Sequence, residues 1–349
     1  MAAIVPAWEH LAANALEANP FYEPWILLPA LWARGEEGFE CVSIWDEGKL
    51  FGLFPVERRP GFRRLPVATL ASWRHSAYLL CTPLVRADAA HIALQALLRW
   101  AVDEASVLEL LYLPASGAFD DALRAVAKTV VRTARLSRAL LVKGSSAEAY
   151  MEEATSAQLR RQIRRNERRL AAMGATTVVV GPGDAIGDEI ERFLDLEARG
   201  WKGRQGGALA ANAQNLRFGR EVLADAHRRG RLHMVGINCE GRAIARRVTL
   251  LAGDTSYAFR TAYDEDYAAY SPGVLAEAMC LREFHAMPDQ RWMDSYTDPD
   301  NTLMSRLWKD RRAMQSVAIN AGAWGAFWLS VYSSVRGTAQ TDAPARPAA

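Results

Sequence analysis

A chain of 349 residues, 50% hydrophobic and 23% charged, carries enough sequence for about two domains with real cores. That composition excludes a disordered chain, a collagen-like repeat and a small disulfide-stapled scaffold. A formal net charge of +2, from 42 basic and 40 acidic residues, excludes a global field that would favour nucleic acid. The cysteines, Cys41, Cys81, Cys239 and Cys280, lie far apart with no CxxC pair, and read as ordinary thiols in a reducing compartment. The opening MAAIVPAWEHLA has no basic leader and meets Glu9 before any long apolar run, so the expected location is the cytoplasm. Arginine supplies nearly all the positive charge, and with the heavy alanine usage this fits a GC-rich bacterial genome.

In chain order, the pattern predicts a helix over Trp8–Ala18 and another from Pro24. Extended runs follow at Phe39–Trp45 and Leu50–Val56, joined by Asp46-Glu47-Gly48-Lys49, a hairpin signal. Then come extended segments at Leu65–Leu70 and Ala77–Leu80, a helix Ala87–Glu104, a strand Val107–Leu113, a helix Phe119–Ala127 and a strand ending at Val142. The second half repeats the order. It reads as a basic helix Ala157–Met173, a strand Thr176–Val180, helices Gly187–Arg199 and Ala213–Arg229, and extended segments Leu232–Asn238, Ala243–Leu251 and Ser256–Ala262. A helix Pro272–His285, a strand Arg291–Ser295, a helix Leu303–Arg312 and a strand Met314–Ile319 close it. Hairpin strands flanked by helices make the fold class α+β, with two similar lobes at 1–145 and 146–320. An aromatic amphipathic helix at 321–336 and a disordered tail at 337–349 complete the expected layout.

Gly181 to Gly187 reads GPGDAIG and superficially matches a dinucleotide fingerprint, but no second parallel strand with an acidic ribose ligand follows, so it reads as a turn with a helix cap. No P-loop, HExxH or GxSxG is present, and the six histidines show no metal spacing, so no metal is expected. Leu159 to Leu170 is locally extreme: Leu159, Ile163 and Leu170 share one stripe while six arginines spread over the opposite half. Such a face is either simply solvated or a site for phosphate, with a nucleotide, tRNA or membrane surface as partner. From Ala313 to Val335 no residue is charged, and Trp324, Phe327, Trp328, Val331, Tyr332 and Val335 fall on one helical face. The face either docks on the core or lies in a membrane interface through Trp324 and Trp328.

Glu197-Ala198-Arg199-Gly200-Trp201-Lys202-Gly203, then Tyr257-Ala258-Phe259-Arg260-Thr261-Ala262-Tyr263-Asp264-Glu265, then Ser271-Pro272-Gly273-Val274-Leu275 form a three-part pattern. Pro272 and Gly273 at a helix start leave free N–H groups for an anion. The pattern resembles the cellulose-biosynthesis-associated (CelD/BcsL-type, BioF2-like) acyltransferases of the GNAT superfamily, relatives of the tandem-domain Fem-type transferases. The resemblance is strongest over 150–320. It implies two tandem GNAT-like mixed-sheet lobes facing a shared cleft, with acyl-CoA as donor co-substrate.

By that resemblance, the CoA diphosphate rests on Tyr270, Ser271, Pro272, Gly273 and Val274, where a single glycine departs from the usual glycine-richer loop. Acyl transfer to an amine needs a deprotonated nucleophile, a polarised thioester and a proton for the thiolate. Glu197 and Asp264 are candidates for taking the ammonium proton, and Tyr263 or Tyr270 for protonating the thiolate. Arg247 and Arg260 are candidates for orienting the donor, Trp201 and Lys202 for closing the acceptor site, and His75 for the first lobe's contribution. Asp294 and Ser295, at the end of a strand beside the implied cleft, are further acceptor-site candidates. Each has a structural alternative: Glu197 pairs with Arg199 or Lys202, Trp201 is core, or His75 is a packed loop residue.

The expected activity is an acyl-CoA-dependent N-acyltransferase acting on the amine of a cell-envelope lipid precursor, such as a sphingoid base, and resembling the bacterial ceramide synthases. Its expected partners are a CoA thioester and an amine acceptor, with peripheral contact at the inner membrane and no nucleic acid. Open alternatives are N-acetylation of an exopolysaccharide amino sugar, a Fem-like aminoacyl-tRNA donor, or a degenerate GNAT scaffold that only binds.

Overall fold

The computed structural model describes residues 1–336 except 36, 300 and 323. The tail at 337–349 lies outside the described residues. In chain order the helices and strands of the first half are α1 (Val5–Ala13), α2 (Pro24–Arg34), β1 (Phe39–Asp46), β2 (Lys49–Arg59), β3 (Thr69–Ser72), β4 (Leu84–Val85), α3 (Ala90–Glu104), β5 (Val107–Pro114), α4 (Ala118–Val126) and β6 (Val130–Val142). The second half begins with α5 (Ala147–Ala154), α6 (Ala157–Ala172), β7 (Thr176–Val180), α7 (Gly187–Arg199), α8 (Trp201–Arg204) and α9 (Ala213–Arg228). It continues with β8 (Leu232–Cys239), β9 (Arg242–Ala252), β10 (Thr255–Tyr263), α10 (Pro272–Ala286), β11 (Trp292–Asp294), α11 (Thr302–Leu307), β12 (Asp310–Asn320) and α12 (Gly325–Arg336).

The chain divides into two units: Met1–Leu27, Gly35–Ser137 and the chain from Ala313 onward form one, and Leu28–Arg34 with Arg138–Arg312 form the other. The divide falls inside β6, a few residues before the 145/146 boundary read from sequence, and again inside β12.

In the first unit the strand order is β1-β2-β3-β5-β12, with β4 against β2. β3 and β5 run parallel and the other neighbours antiparallel. Ala90, Ala93, Leu94, Leu97 and Ala101 make one buried stripe of α3 at helical spacing. That stripe and Phe119 and Leu123 of α4 pack on Phe54, Val56, Leu108 and Val317 from the sheet.

The second unit repeats the scheme with β7-β8-β9-β10-β11-β6. β10 and β11 are parallel, and the rest of the sheet is antiparallel. The apolar sides of α5, α6, α10 and α11 share one core with Val235, Ile244, Ala258 and Met293 of the strands. Both units use the same hairpin device, between β1 and β2 and between β8 and β9: Glu47 and Gly48 (φ 44° and 74°) and Glu240 and Gly241 (φ 51° and 75°) hold the left-handed pair that tight hairpins demand.

The two units are thus built alike: an antiparallel meander ends in a parallel pair, and one antiparallel strand closes the far side. That closing strand comes from the other half of the sequence in each case, β12 for the first unit and the end of β6 for the second. Periodicity marks a strand but not its partner, so sequence order had placed each with its own half. Two further differences have local causes. The helix expected over Leu303–Arg312 stops at Leu307, because Asp310–Asn320 enters β12 and alternates until its buried end. Tyr78 N–H bonds His75 O in a turn, so the expected extended segment at Ala77–Leu80 is not a strand.

Candidate active site

The site of the second unit is built around β10. Its parallel ladder with β11 lasts only from Thr255–Trp292 to Tyr257–Asp294. Beyond it β10 bulges against β9 between Tyr257 and Arg260 and runs on to Tyr263. The chain after β11 turns the other way, with Ser295 N–H bonded to Ala139 O on β6. The two parallel strands therefore part after Asp294, a place where an extended ligand can take up strand hydrogen bonds.

Glu197, on the last turn of α7, lies against the outer half of β10 with its side chain fully buried. Its Oε1 is 3.2 Å from Lys202 Nζ and 3.3 Å from the Arg260 guanidinium, while Oε2 accepts the Leu209 N–H at 2.8 Å. Lys202 also donates to Thr261 O at 2.7 Å, so its ammonium sits between α8 and β10. Burial pushes the Lys202 ammonium down to about 8; Glu197 opposes the shift and Arg260 adds to it. A lysine at that position exchanges its proton near neutral pH. Trp201 next to it is 42% exposed, and its backbone N–H donates to Glu265 Oε1 at 3.2 Å.

β10 leads through a 3₁₀ turn, Glu265–Tyr270, into α10. Ser271 takes the left-handed conformation (φ 53°) as N-cap, and no side chain caps the first N–H groups of α10. Pro272 opens the helix, and Val274 packs on the core from its first turn. The Tyr263 ring lies against Gly273, where an added Cβ would sit 3.1 Å from Cδ1. At an uncapped helix start of this length the helix dipole favours an anion. α6 braces the turn: Asn166 donates to Tyr270 O at 2.8 Å, Gln162 to Ser271 Oγ at 3.5 Å, and the Arg169 guanidinium stacks 4.4 Å over the Tyr270 ring.

Other residues singled out from sequence occupy different surroundings. Arg247 is fully buried under α10, its Nε 2.7 Å from Glu277 and its remaining N–H groups on Val248 O and Met293 Sδ. Asp264 caps the 3₁₀ turn and pairs with Arg242 at 2.7 Å. Asp294 is fully buried between Arg138 and Arg312, both at 2.6 Å, and accepts the Tyr296 N–H at 2.8 Å. Burial alone would raise the Asp294 carboxyl, but the two guanidiniums hold it below the ordinary carboxylate range. Ser295 is buried beside it and accepts from Thr297 Oγ1 at 3.2 Å.

His75 belongs to the first unit, buried beside Tyr78, with Nδ1 accepting the Ala77 N–H at 3.2 Å. In the same unit Leu329, Trp328 and Tyr332 of α12 pack on Phe62 and Ala318, while Trp324 and Phe327 remain 67% and 54% exposed. No helix among the described residues is long and apolar enough to cross a membrane.

The structure thus gathers Glu197, Lys202 and Arg260 at the outer half of β10, while the Tyr263 ring packs on Gly273 and the core under α10, with Tyr270 to Val274 at the strand's exit. The clamp on Asp294 by Arg138 and Arg312 was absent from the sequence reading. Its one signal is a charged residue, Arg138, directly before the apolar run Ala139–Val142. Among the described residues no cluster of His, Cys, Asp or Glu is arranged to hold a metal ion.

Residues 157–300, all within the second unit, match the family model described as Acetyltransferase (GNAT) domain. No curated protein matches the chain. Among solved structures it is similar to FemX, at 10% identity and a TM-score of 0.58 over 94% of this chain and 98% of that one. It is also similar to the C-terminal domain of a putative lysylphosphatidylglycerol synthetase from Agrobacterium fabrum (10% identity, TM-score 0.56, 96% and 97% covered). A third is L-PGS from Bacillus licheniformis (11% identity, TM-score 0.50, 84% and 88% covered). The fold is α+β of the GNAT type, and the protein is an acyltransferase.

Proposed function

We propose that the protein is an acyl-CoA-dependent N-acyltransferase of the CelD/BcsL type, acting on the amine of a cell-envelope lipid precursor, with a sphingoid base as the favoured acceptor. The observation that carries the donor half is the parting of β10 and β11 opposite an uncapped helix start. A diphosphate fits the Gly273 N–H and the positive end of the α10 dipole, and the pantetheine arm fits the open edge of β10. The thioester carbonyl then reaches the outer half of β10, where Lys202, Glu197 and Arg260 are grouped.

In this reading the acceptor ammonium gives a proton to neutral Lys202, and Glu197 steadies the lysine cation that results. The amine nitrogen attacks the thioester carbon, the C–N bond forms and the C–S bond breaks. Tyr263, beside Gly273, gives its phenol proton to the departing thiolate and takes up the second proton that the attacking nitrogen sheds, giving an amide and free CoA. Lys202 releases the first proton to solvent. Trp201 covers the acceptor side.

The lipid half rests on the exposed aromatic pair Trp324 and Phe327, whose rings meet edge-on at 6.3 Å and suit an inner-membrane interface, with Trp328 seated on the core behind them. A fold shared with a domain named for synthesis of a lipid, lysylphosphatidylglycerol, is in keeping with this. Thermal shift with acetyl-CoA and palmitoyl-CoA tests the reading. Selective stabilisation by palmitoyl-CoA supports it, selective response to acetyl-CoA moves the acceptor to an amino sugar, and no response to either brings an aminoacyl-tRNA donor forward.

A further inference from the structure

The arginines of α6 differ electrostatically from those elsewhere on the second unit. On α7 and α9 exposed arginines have carboxylate partners: Arg199 with Asp195 at 2.9 Å, Arg217 with Glu221 at 2.6 Å, Arg220 with Glu191 at 2.7 Å. On α6 the single acid, Glu167, is taken by Arg282 at 2.9 Å. Arg160 is taken too, since it donates to the carbonyls that end α5. Arg161 and Arg165 are exposed and have no carboxylate partner among the described residues. Like charges one turn apart repel, so this row is electrostatically unsatisfied in the free protein.

Its position is specific. At 100° per residue, Arg169, Arg165 and Arg161 follow Asn166 and Gln162 round the helix, and those two contact Tyr270 O and Ser271 Oγ. The row therefore borders the turn that precedes α10. Asn166 Oδ1, buried at this junction, has no partner among the described residues, leaving an acceptor open next to a row of donors. A ligand with phosphate and hydroxyl groups on one ring meets both needs.

We infer that Arg161 and Arg165, with Arg169, bind a phosphate of the donor that is separate from its diphosphate: the 3′-phosphate on the ribose of CoA. This rests on the CoA reading above and adds a specificity determinant to it. Guanidinium groups are suited to a phosphate monoester through paired N–H donors.

The test is equilibrium binding of CoA and 3′-dephospho-CoA to the full chain and to the double variant Arg161→Gln/Arg165→Gln, with phosphatidylglycerol vesicles as a third probe. The expected result is that the parent protein prefers CoA by about tenfold. In the variant the preference falls below about twofold, while affinity for 3′-dephospho-CoA is unchanged. Equal affinities in the parent protein, or a preference that survives in the variant, overturn the inference. So does a variant that loses vesicle binding while its CoA preference stands, which would assign the row to a lipid surface. If the parent protein binds neither nucleotide, the CoA reading fails along with it, and the loss of 3′-dephospho-CoA binding distinguishes that case.

Discussion

Glu197 Oε1 and Lys202 Nζ stand 3.2 Å apart beside the stretch of β10 that has outrun its ladder with β11. The contact joins the end of α7 to α8 and places a buried carboxylate and a lysine of lowered basicity at the strand edge that the donor would follow. Both Glu197 oxygens are already engaged, and in the proposed mechanism the proton-accepting role passes to the lysine it holds.

Turnover should therefore follow the ionisation of Lys202. The amine is able to accept a proton only when neutral, so the rate rises with pH and levels above about 8. Lys202→Met lowers turnover by about a hundredfold or more with the pH dependence flattened. A pH–rate profile of both proteins checks this, and a flat parent profile would refute it.

Replacing Glu197 has two separate effects. Glu197→Gln keeps an acceptor for the Leu209 N–H but leaves Lys202 and Arg260 without their carboxylate. The unfolding free energy should fall by about 2 kcal/mol, a modest loss because both cations are partly exposed. Since Glu197 holds the lysine pKa up, the midpoint of the pH–rate profile moves down from about 8. Denaturant titration and the rate profile read the two effects independently.

Asp294 is the structural counterpart. It holds Arg138 on β6 and Arg312 at the start of β12, and so fixes the strand from which β10 departs. Asp294→Asn leaves two guanidiniums short of charge and should cost about 3 kcal/mol of stability. Urea titration checks the value; a loss below the error of the method would show that the clamp is dispensable.

His233 on β8 gives a prediction of opposite character. Burial, with Arg247 nearby, lowers its pKa from 6.5 to about 4, and Glu283 at 3.8 Å is too distant to pair firmly. Between those values the unfolded chain binds the extra proton and the native protein does not. Stability therefore rises with pH across that window, by about 3 kcal/mol at most. The difference between the parent protein and His233→Asn, followed in urea from pH 4 to 7, isolates this contribution.

Much of this arrangement was legible from residue pattern. The extended runs that became β8, β9 and β10, the Glu-Gly hairpin turns and the Ser271-Pro272-Gly273 helix start are local signals, and local signals survive in a sequence. What was not legible depends on distant partners. The closing strand of each unit comes from the other half of the chain, which no periodicity reveals. Arg247 and Arg260 both sit on strands as expected, yet the bulge in β10 and the packing of α10 send one to Glu277 and the other to Glu197. Asp264 was legible as a carboxylate near the site, but its role as a cap follows from the 3₁₀ turn after it.

The central claim is tested most directly by incubating the protein with palmitoyl-CoA and sphinganine and following free thiol and N-acyl product by mass spectrometry. The account predicts equal amounts of CoA and N-palmitoyl sphinganine, both lost in Lys202→Met. Absence of thiol release from any acyl-CoA, with amines of lipid or sugar type, would contradict it.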